Sequence, residues 1–225
     1  MWQSIIWGCA QEVNQLLLDF IPRTHTLASQ RHRCARYAPA YSKVSTQFSC
    51  TQAQIGNMTL QDTSLKKFEQ GWRLGCEGLF RLARSVTPHM IERGSGTIIV
   101  TSATAALRGN RGQHSHAAAM GGRRMLCQTL GHELGPLGIH VCHVVVDGAV
   151  NAPDTLGRMV GADAFARIQM LGDRILQPEH IADTYFHIAS QHRSVWTNEL
   201  DLRPYSEQPW YTSGSGPPIV ASKAK

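Results

Sequence analysis

Two apolar runs with a helix-forming stretch between them, all within residues 96–153, constrain this chain more than anything else in it. The first run, Thr97-Ile98-Ile99-Val100-Thr101, is β-branched throughout and follows the breaker Gly94-Ser95-Gly96. The second, Ile139-His140-Val141-Cys142-His143-Val144-Val145-Val146, follows Gly135-Pro136-Leu137-Gly138. Short apolar runs bounded by glycine and proline predict strands covered on both faces, as in parallel sheets. Parallel neighbours need a crossover, and residues 113–134 supply one, a helix with Ala118, Gly122, Met125, Leu126, Leu130 and Leu134 on its apolar side. The expected class is therefore α/β, with a doubly wound parallel sheet.

The flanking segments continue that rhythm. A helix is expected over residues 62–92, opened by Asp62 or Thr63, with Leu65, Phe68, Trp72, Leu79, Ala83, Val86 and Met90 along one buried face. Further helices are expected over 163–171 and from Pro178 onward, and a last strand over 195–202. Residues 5–20 read either as a degraded strand–turn–helix around Gly8 or as one amphipathic helix. The organisation expected is a degenerate or partly disordered segment over 1–54, an α/β domain over 55–210 and a flexible tail over 211–225.

Composition narrows the function classes. Of 225 residues, 42% are hydrophobic and 17% charged, which suits one soluble globular domain. The net charge of +6 comes with neither aromatic interleaving nor a recognisable binding motif, so no nucleic-acid partner is expected. Six cysteines without a Cys-x-x-Cys pair read as reduced and intracellular. No apolar run approaches the roughly 18–20 residues of a membrane span. The expected compartment is the cytoplasm, with a mitochondrial address kept open by the basic, acid-free segment 20–61. His114 with His116, and His140 with His143, diverge on a helix and a strand respectively, so no metal site is expected.

Several landmarks occur in an order that resembles the short-chain dehydrogenase/reductase family. They include Phe68-Glu69-Gln70-Gly71-Trp72, Leu107-Arg108-Gly109, Glu133-Leu134-Gly135, Gly138-Ile139-His140-Val141, Asp147-Gly148-Ala149-Val150 before Pro153, Gln177-Pro178-Glu179-His180-Ile181-Ala182 and Trp196-Thr197-Asn198-Glu199-Leu200. The resemblance implies a Rossmann-like sheet whose N-terminal βαβ portion is truncated or degraded. It also implies a dimer through helices 62–92 and 113–134, and a site built from asparagine, serine, tyrosine and lysine. In that family the tyrosine exchanges a proton with the substrate oxygen, the lysine lowers its pKa and holds the nicotinamide ribose, the serine fixes substrate and the asparagine maintains a relay water.

Here the four positions fall on Gly75, Ala103, His116 and Met120, and all four depart. The expectation that follows is a homologue impaired or inactive in catalysis, with no cofactor and an interaction or dimerising role. The alternative is an atypical NAD(P)-dependent oxidoreductase acting on a small carbonyl or alcohol. Its acid–base group would be His116, since imidazole titrates near neutrality, with Ser102 or Thr104 supplying the hydroxyl. Its cofactor contacts would come from Gly8, Gly148 and Asn151. Glu12 and Asn14 stand where a phosphate loop wants glycine, and a carboxylate there repels phosphate. Arg108, Arg111, Arg123 and Arg124 are expected as a solvated basic rim.

Overall fold

A computed structural model describes residues 59–157 and 160–207. The segment 1–54, with Gly8 and the strand–turn–helix reading of residues 5–20, and the tail 211–225 lie outside the described residues.

The two apolar runs are the central strands. β1 (Gly96–Ala103) and β2 (Ile139–Val146) pair in parallel from Gly96 opposite Ile139 to Ala103 opposite Val146, and every residue of both is buried. β3 (Glu199–Leu202) adds in parallel to the other side of β2, from His143 opposite Glu199 to Val146 opposite Leu202. It is shorter than the expected 195–202 because Arg193–Val195 coils into a single 3₁₀ turn.

Helices cover both faces. Before β1 come α1 (Leu65–Trp72), a π-helical turn (Arg73–Glu77) and α2 (Gly78–Arg93); α3 (His114–Leu134) crosses from β1 to β2. After β2 come α4 (Ala162–Gln169) and α5 (Pro178–Ser190), the latter opened by proline as expected. Alternate strand residues feed two cores. Ile98, Val100, Ile139 and Val141 pack with Leu79, Ala83 and Met90 of α2 and Cys127, Leu130 and Leu134 of α3. Ile99, Cys142, Val144 and Val146 pack with Phe165, Ile181, Tyr185 and Ile188. None of the described helices is long and apolar enough to cross a membrane.

Three expectations need correction. The first helix is capped by Ser64, whose hydroxyl accepts the Lys67 amide, rather than by Asp62 or Thr63; Asp62 instead accepts the Thr59 hydroxyl at 2.6 Å in the preceding turn. Its buried face is not continuous: Leu79, Ala83 and Met90 are buried, whereas Leu65, Phe68 and Trp72 are exposed at 80%, 39% and 43%. The π turn causes this, because one extra residue rotates everything after it by roughly 100° about the helix axis. On α3 the buried residues are Ala119, Met120, Arg123, Cys127, Leu130 and Leu134, while Met125 is half exposed. The stripe keeps helical spacing but carries an arginine in its middle, which moved the expected face by about one residue.

The tight approach of the two loops feeding β1 and β2 also has a cause in sequence. Gly94 ends α2 in the left-handed region at φ 65°, with its amide on the Ile91 carbonyl and that of Ser95 on the Met90 carbonyl. A side chain at Gly138 would run into the Gly94 carbonyl, so the two glycines let the strands begin in register.

Burial pushes the thiols of Cys127 and Cys142 up to about 12. Neither is a thiolate near neutrality, so iodoacetamide at pH 8 leaves both unmodified in the native protein and labels both in denaturant, as read by peptide mass spectrometry. Native labelling of either at the denatured rate would contradict the packing described.

Candidate functional site

The carboxyl ends of β1 and β2 open where the chain leaves the sheet, the place where open α/β sheets carry their ligands. β1 brings Ser102 and Ala103 there and continues into a 3₁₀ turn (Thr104–Ala106); α3 brings His116 in its first turn and Met120 one turn later. The π turn brings Gly75 against α3.

These residues are brought together, but their contacts are mostly apolar. Ser102 is buried, and its hydroxyl lies 3.8 Å from the Met120 sulfur, a weak acceptor. Met120 packs with Ala105 and Ala119. A Cβ at Gly75 would come within 2.6 Å of the Ala119 Cβ and 3.1 Å of the Met120 Cε. Gly75 and Met120 are thus sterically linked, the methionine filling space that any larger residue at 75 would need. Among the described residues no hydrogen bond joins His116 to Ser102 or Thr104. The His116 side chain is half-buried and its Nε2 is closed off from solvent without a hydrogen-bond partner. Burial first, and the Arg123 cation second, push His116 down to about 4, so at neutral pH it is an uncharged imidazole.

Arg123 is not on a solvated rim. It is 3% exposed, and its Nε donates to the Gly75 carbonyl at 2.6 Å while Nη1 donates to the Thr101 carbonyl at 2.8 Å. Its spacing, seven residues after His116 and three after Met120, puts it on the same helix face. That spacing was available in the sequence, but an arginine on a helix is read as surface by default.

The two described residues expected to hold a cofactor are engaged elsewhere. A Cβ at Gly148 would meet Pro204 Cδ at 2.8 Å, so this glycine accommodates the chain's own proline. Asn151 donates through Nδ2 to Gln177 Oε1 at 2.9 Å and accepts from Gln169 Nε2 at 3.3 Å.

Behind the site a polar cluster locks β3 to the rest. Glu199 accepts two hydrogen bonds of 2.7 Å from Arg124, and its Oε2 also lies 2.9 Å from His143 Nδ1. The Arg124 hydrogen bonds are the main reason the Glu199 carboxyl sits below its usual range. Burial lowers His143 to about 4 despite that carboxylate, so the neutral ring donates from Nδ1. His140 stacks on Trp196 with ring centroids 4.9 Å apart and bonds the Thr197 carbonyl. The two strand histidines therefore serve separate neighbours, and no group of three or more His, Cys, Asp or Glu converges among the described residues.

Comparison with known proteins gives this geometry its family. A model described as enoyl-(acyl carrier protein) reductase matches residues 47–200. The chain belongs to the short-chain dehydrogenase/reductase family. It is 28% identical over 138 residues to the 3-oxoacyl-[acyl-carrier-protein] reductase FabG of Thermotoga maritima, covering 59% of this chain and 55% of that one. It is 36% identical over 130 residues to the short-chain reductase protein NovJ of Streptomyces niveus, covering 54% and 48% respectively. The chain thus spans about half the length of these curated short-chain dehydrogenase/reductase relatives. A solved 3-oxoacyl-[acyl-carrier protein] reductase from Brucella melitensis with bound NAD shares the fold, with TM-score 0.55, 19% identity and coverage of 72% and 60%.

The two depressed histidines set a pH dependence for this short-chain dehydrogenase/reductase scaffold. With folded values near 4 and unfolded values near 6.5, the unfolded chain binds more protons between those limits. Stability from His116 and His143 is complete above pH 6.5 and is lost as pH falls toward 4. The melting temperature is expected to drop steadily from pH 7 to pH 5, and His143→Gln, which cannot titrate, is expected to make that drop shallower. An unchanged slope in the variant would show that burial does not lower His143 in the folded state.

Proposed function

We propose that this chain is a short-chain dehydrogenase/reductase scaffold in which NAD(P)-linked hydride transfer is impaired, and that it acts through association. The observation that carries the reading is the Met120 thioether in the place of the family's lysine. It offers no charge and no donor, and its sulfur is the only hydrogen-bond partner described for the Ser102 hydroxyl. The described residues do not fit the nicotinamide end of a dinucleotide either, since Asn151 is held by Gln177 and Gln169 and Gly148 is packed on Pro204. Gly8 lies outside the described residues and adds no argument.

A second reading is favoured by His116. An uncharged imidazole with a buried, unpartnered Nε2 can exchange a proton with a substrate oxygen, and Thr104 or Ser102 stands on the neighbouring strand end. On that reading the chain is an atypical NAD(P)-dependent oxidoreductase of small carbonyls or alcohols, with the cofactor its relatives suggest. Calorimetry with millimolar NADH and NADPH, followed by turnover on a carbonyl panel, separates the two. The first reading expects no saturable heat and no oxidation of the nicotinamide. Saturable binding with turnover abolished by His116→Ala would replace it with the second.

Association is proposed through the expected helices. Phe68 and Trp72 of α1 and Met125 of α3 are half exposed, and Trp72 also lies over Gly122 of α3, so both helices present apolar side chains to solvent. Light scattering after size exclusion is expected to give twice the chain mass, and Phe68→Asp, which places a charge on that face without entering the core, is expected to give a monomer. A wild-type monomer at tens of micromolar removes this part of the proposal.

A further inference from the structure

Met120 leaves the helix position facing the strand ends without a charge, yet a fully buried cation stands one turn further along the same face. Arg123 is 3% exposed, and a guanidinium removed from water is costly unless its donors are used. Here two of them are spent on carbonyls from different elements, Gly75 in the π turn and Thr101 in β1. Both acceptors have reasons to need such a donor. A π turn displaces carbonyls from the helical ladder, and Thr101 sits one residue before Ser102, near the carboxyl end of β1.

We propose that Arg123 is the positioning residue of this site: it clamps the π turn and the end of β1 onto α3, and it supplies from one turn away the buried positive charge that Met120 does not. The proposal rests on reading the residues around His116 as the family's inherited site. It does not depend on whether that site turns over a substrate.

The arrangement explains three substitutions together. A residue larger than glycine at 75 would meet Ala119 and Met120, so the turn approaches α3 closely enough for its carbonyl to receive Arg123. A methionine at 120 leaves the charge to come from Arg123, further along the packed face of α3. A histidine at 116 is kept neutral first by its burial and second by the Arg123 cation. The titratable groups around the guanidinium are Cys76 from the π turn, His116 and Cys127 from α3 and His143 from β2, each of which feels its positive charge. Thr101 is fixed in turn by a 2.8 Å hydrogen bond between its hydroxyl and that of Tyr185, so the clamp reaches the core on the opposite face of the sheet.

Two variants of the full chain separate clamp from charge. Arg123→Lys keeps the cation but cannot fork to two carbonyls. It is expected to leave the His116 titration, followed by NMR with His116→Asn as the assignment control, within a few tenths of a pH unit of wild type. In the same variant the backbone amides of residues 73–78 are expected to exchange with solvent at least tenfold faster, with the β2 amides unchanged. Arg123→Met keeps the hydrocarbon stem and removes the charge; the His116 midpoint is expected to rise by about one pH unit. If Arg123→Met does not fold, the Arg123→Lys exchange pattern decides alone. Uniform exchange across the chain in Arg123→Lys, or an unmoved His116 midpoint in a folded Arg123→Met, overturns the proposal. Dinucleotide turnover by the wild type would sink the impaired-scaffold reading without touching any of these readouts.

Discussion

Everything in this structure hangs from the parallel pairing of β1 with β2. Sixteen facing residues, eight on each strand, are buried, so the ladder between them runs through a region from which water is excluded. Backbone groups in such a place must bond sideways to the neighbouring strand, and side chains on both faces must be matched by helices. That requirement places α2 and α3 on one side and α4 and α5 on the other. It also sends the chain out at the carboxyl ends of the strands, where Ser102, Ala103, His116 and Met120 gather. The glycine pair at 94 and 138 serves the same requirement at the opposite end by letting the two loops approach.

The sheet was legible because its signals are local. β-branched runs between glycine breakers have few alternative readings, and Pro178 marked the start of α5 to the residue. The helix faces were harder. A periodic count assumes a uniform helix, and nothing in Arg73-Leu74-Gly75-Cys76-Glu77 announces a π turn. The count also treats arginine as outward, which hid Arg123 and displaced the face assigned to α3. The roles of Thr101 with Tyr185, and of Glu199 with Arg124 and His143, were out of reach for another reason. Their partners are 84, 75 and 56 residues apart in the chain and meet only when the sheet forms.

At the site itself, the resemblance assigns the family's positions by order alone, and what stands at them makes sense only in three dimensions. Gly75 and Met120 look like independent losses in a list. In space they are one exchange of volume, the Met120 methyl and the Ala119 Cβ occupying what a side chain at 75 would fill. Such coupling makes single reversions uninformative: restoring a large residue at 75 alone would push on Ala119 and shift α3, and restoring a lysine at 120 alone would bury an ammonium beside Arg123. On the proposed reading, the departure from the family is a repacked neighbourhood rather than a set of missing groups.

The π turn has a further consequence for how the protein can change. Because one extra residue separates the outward aromatic face of α1 from the inward aliphatic face of α2, the turn takes up a residue that neither flanking face needs. Losing one residue from 73–77 would let an ordinary α turn replace the π turn and leave Phe68 and Trp72 outward and Leu79 inward. A single-codon deletion there would therefore keep this surface and would disturb instead the Gly75 carbonyl that receives Arg123.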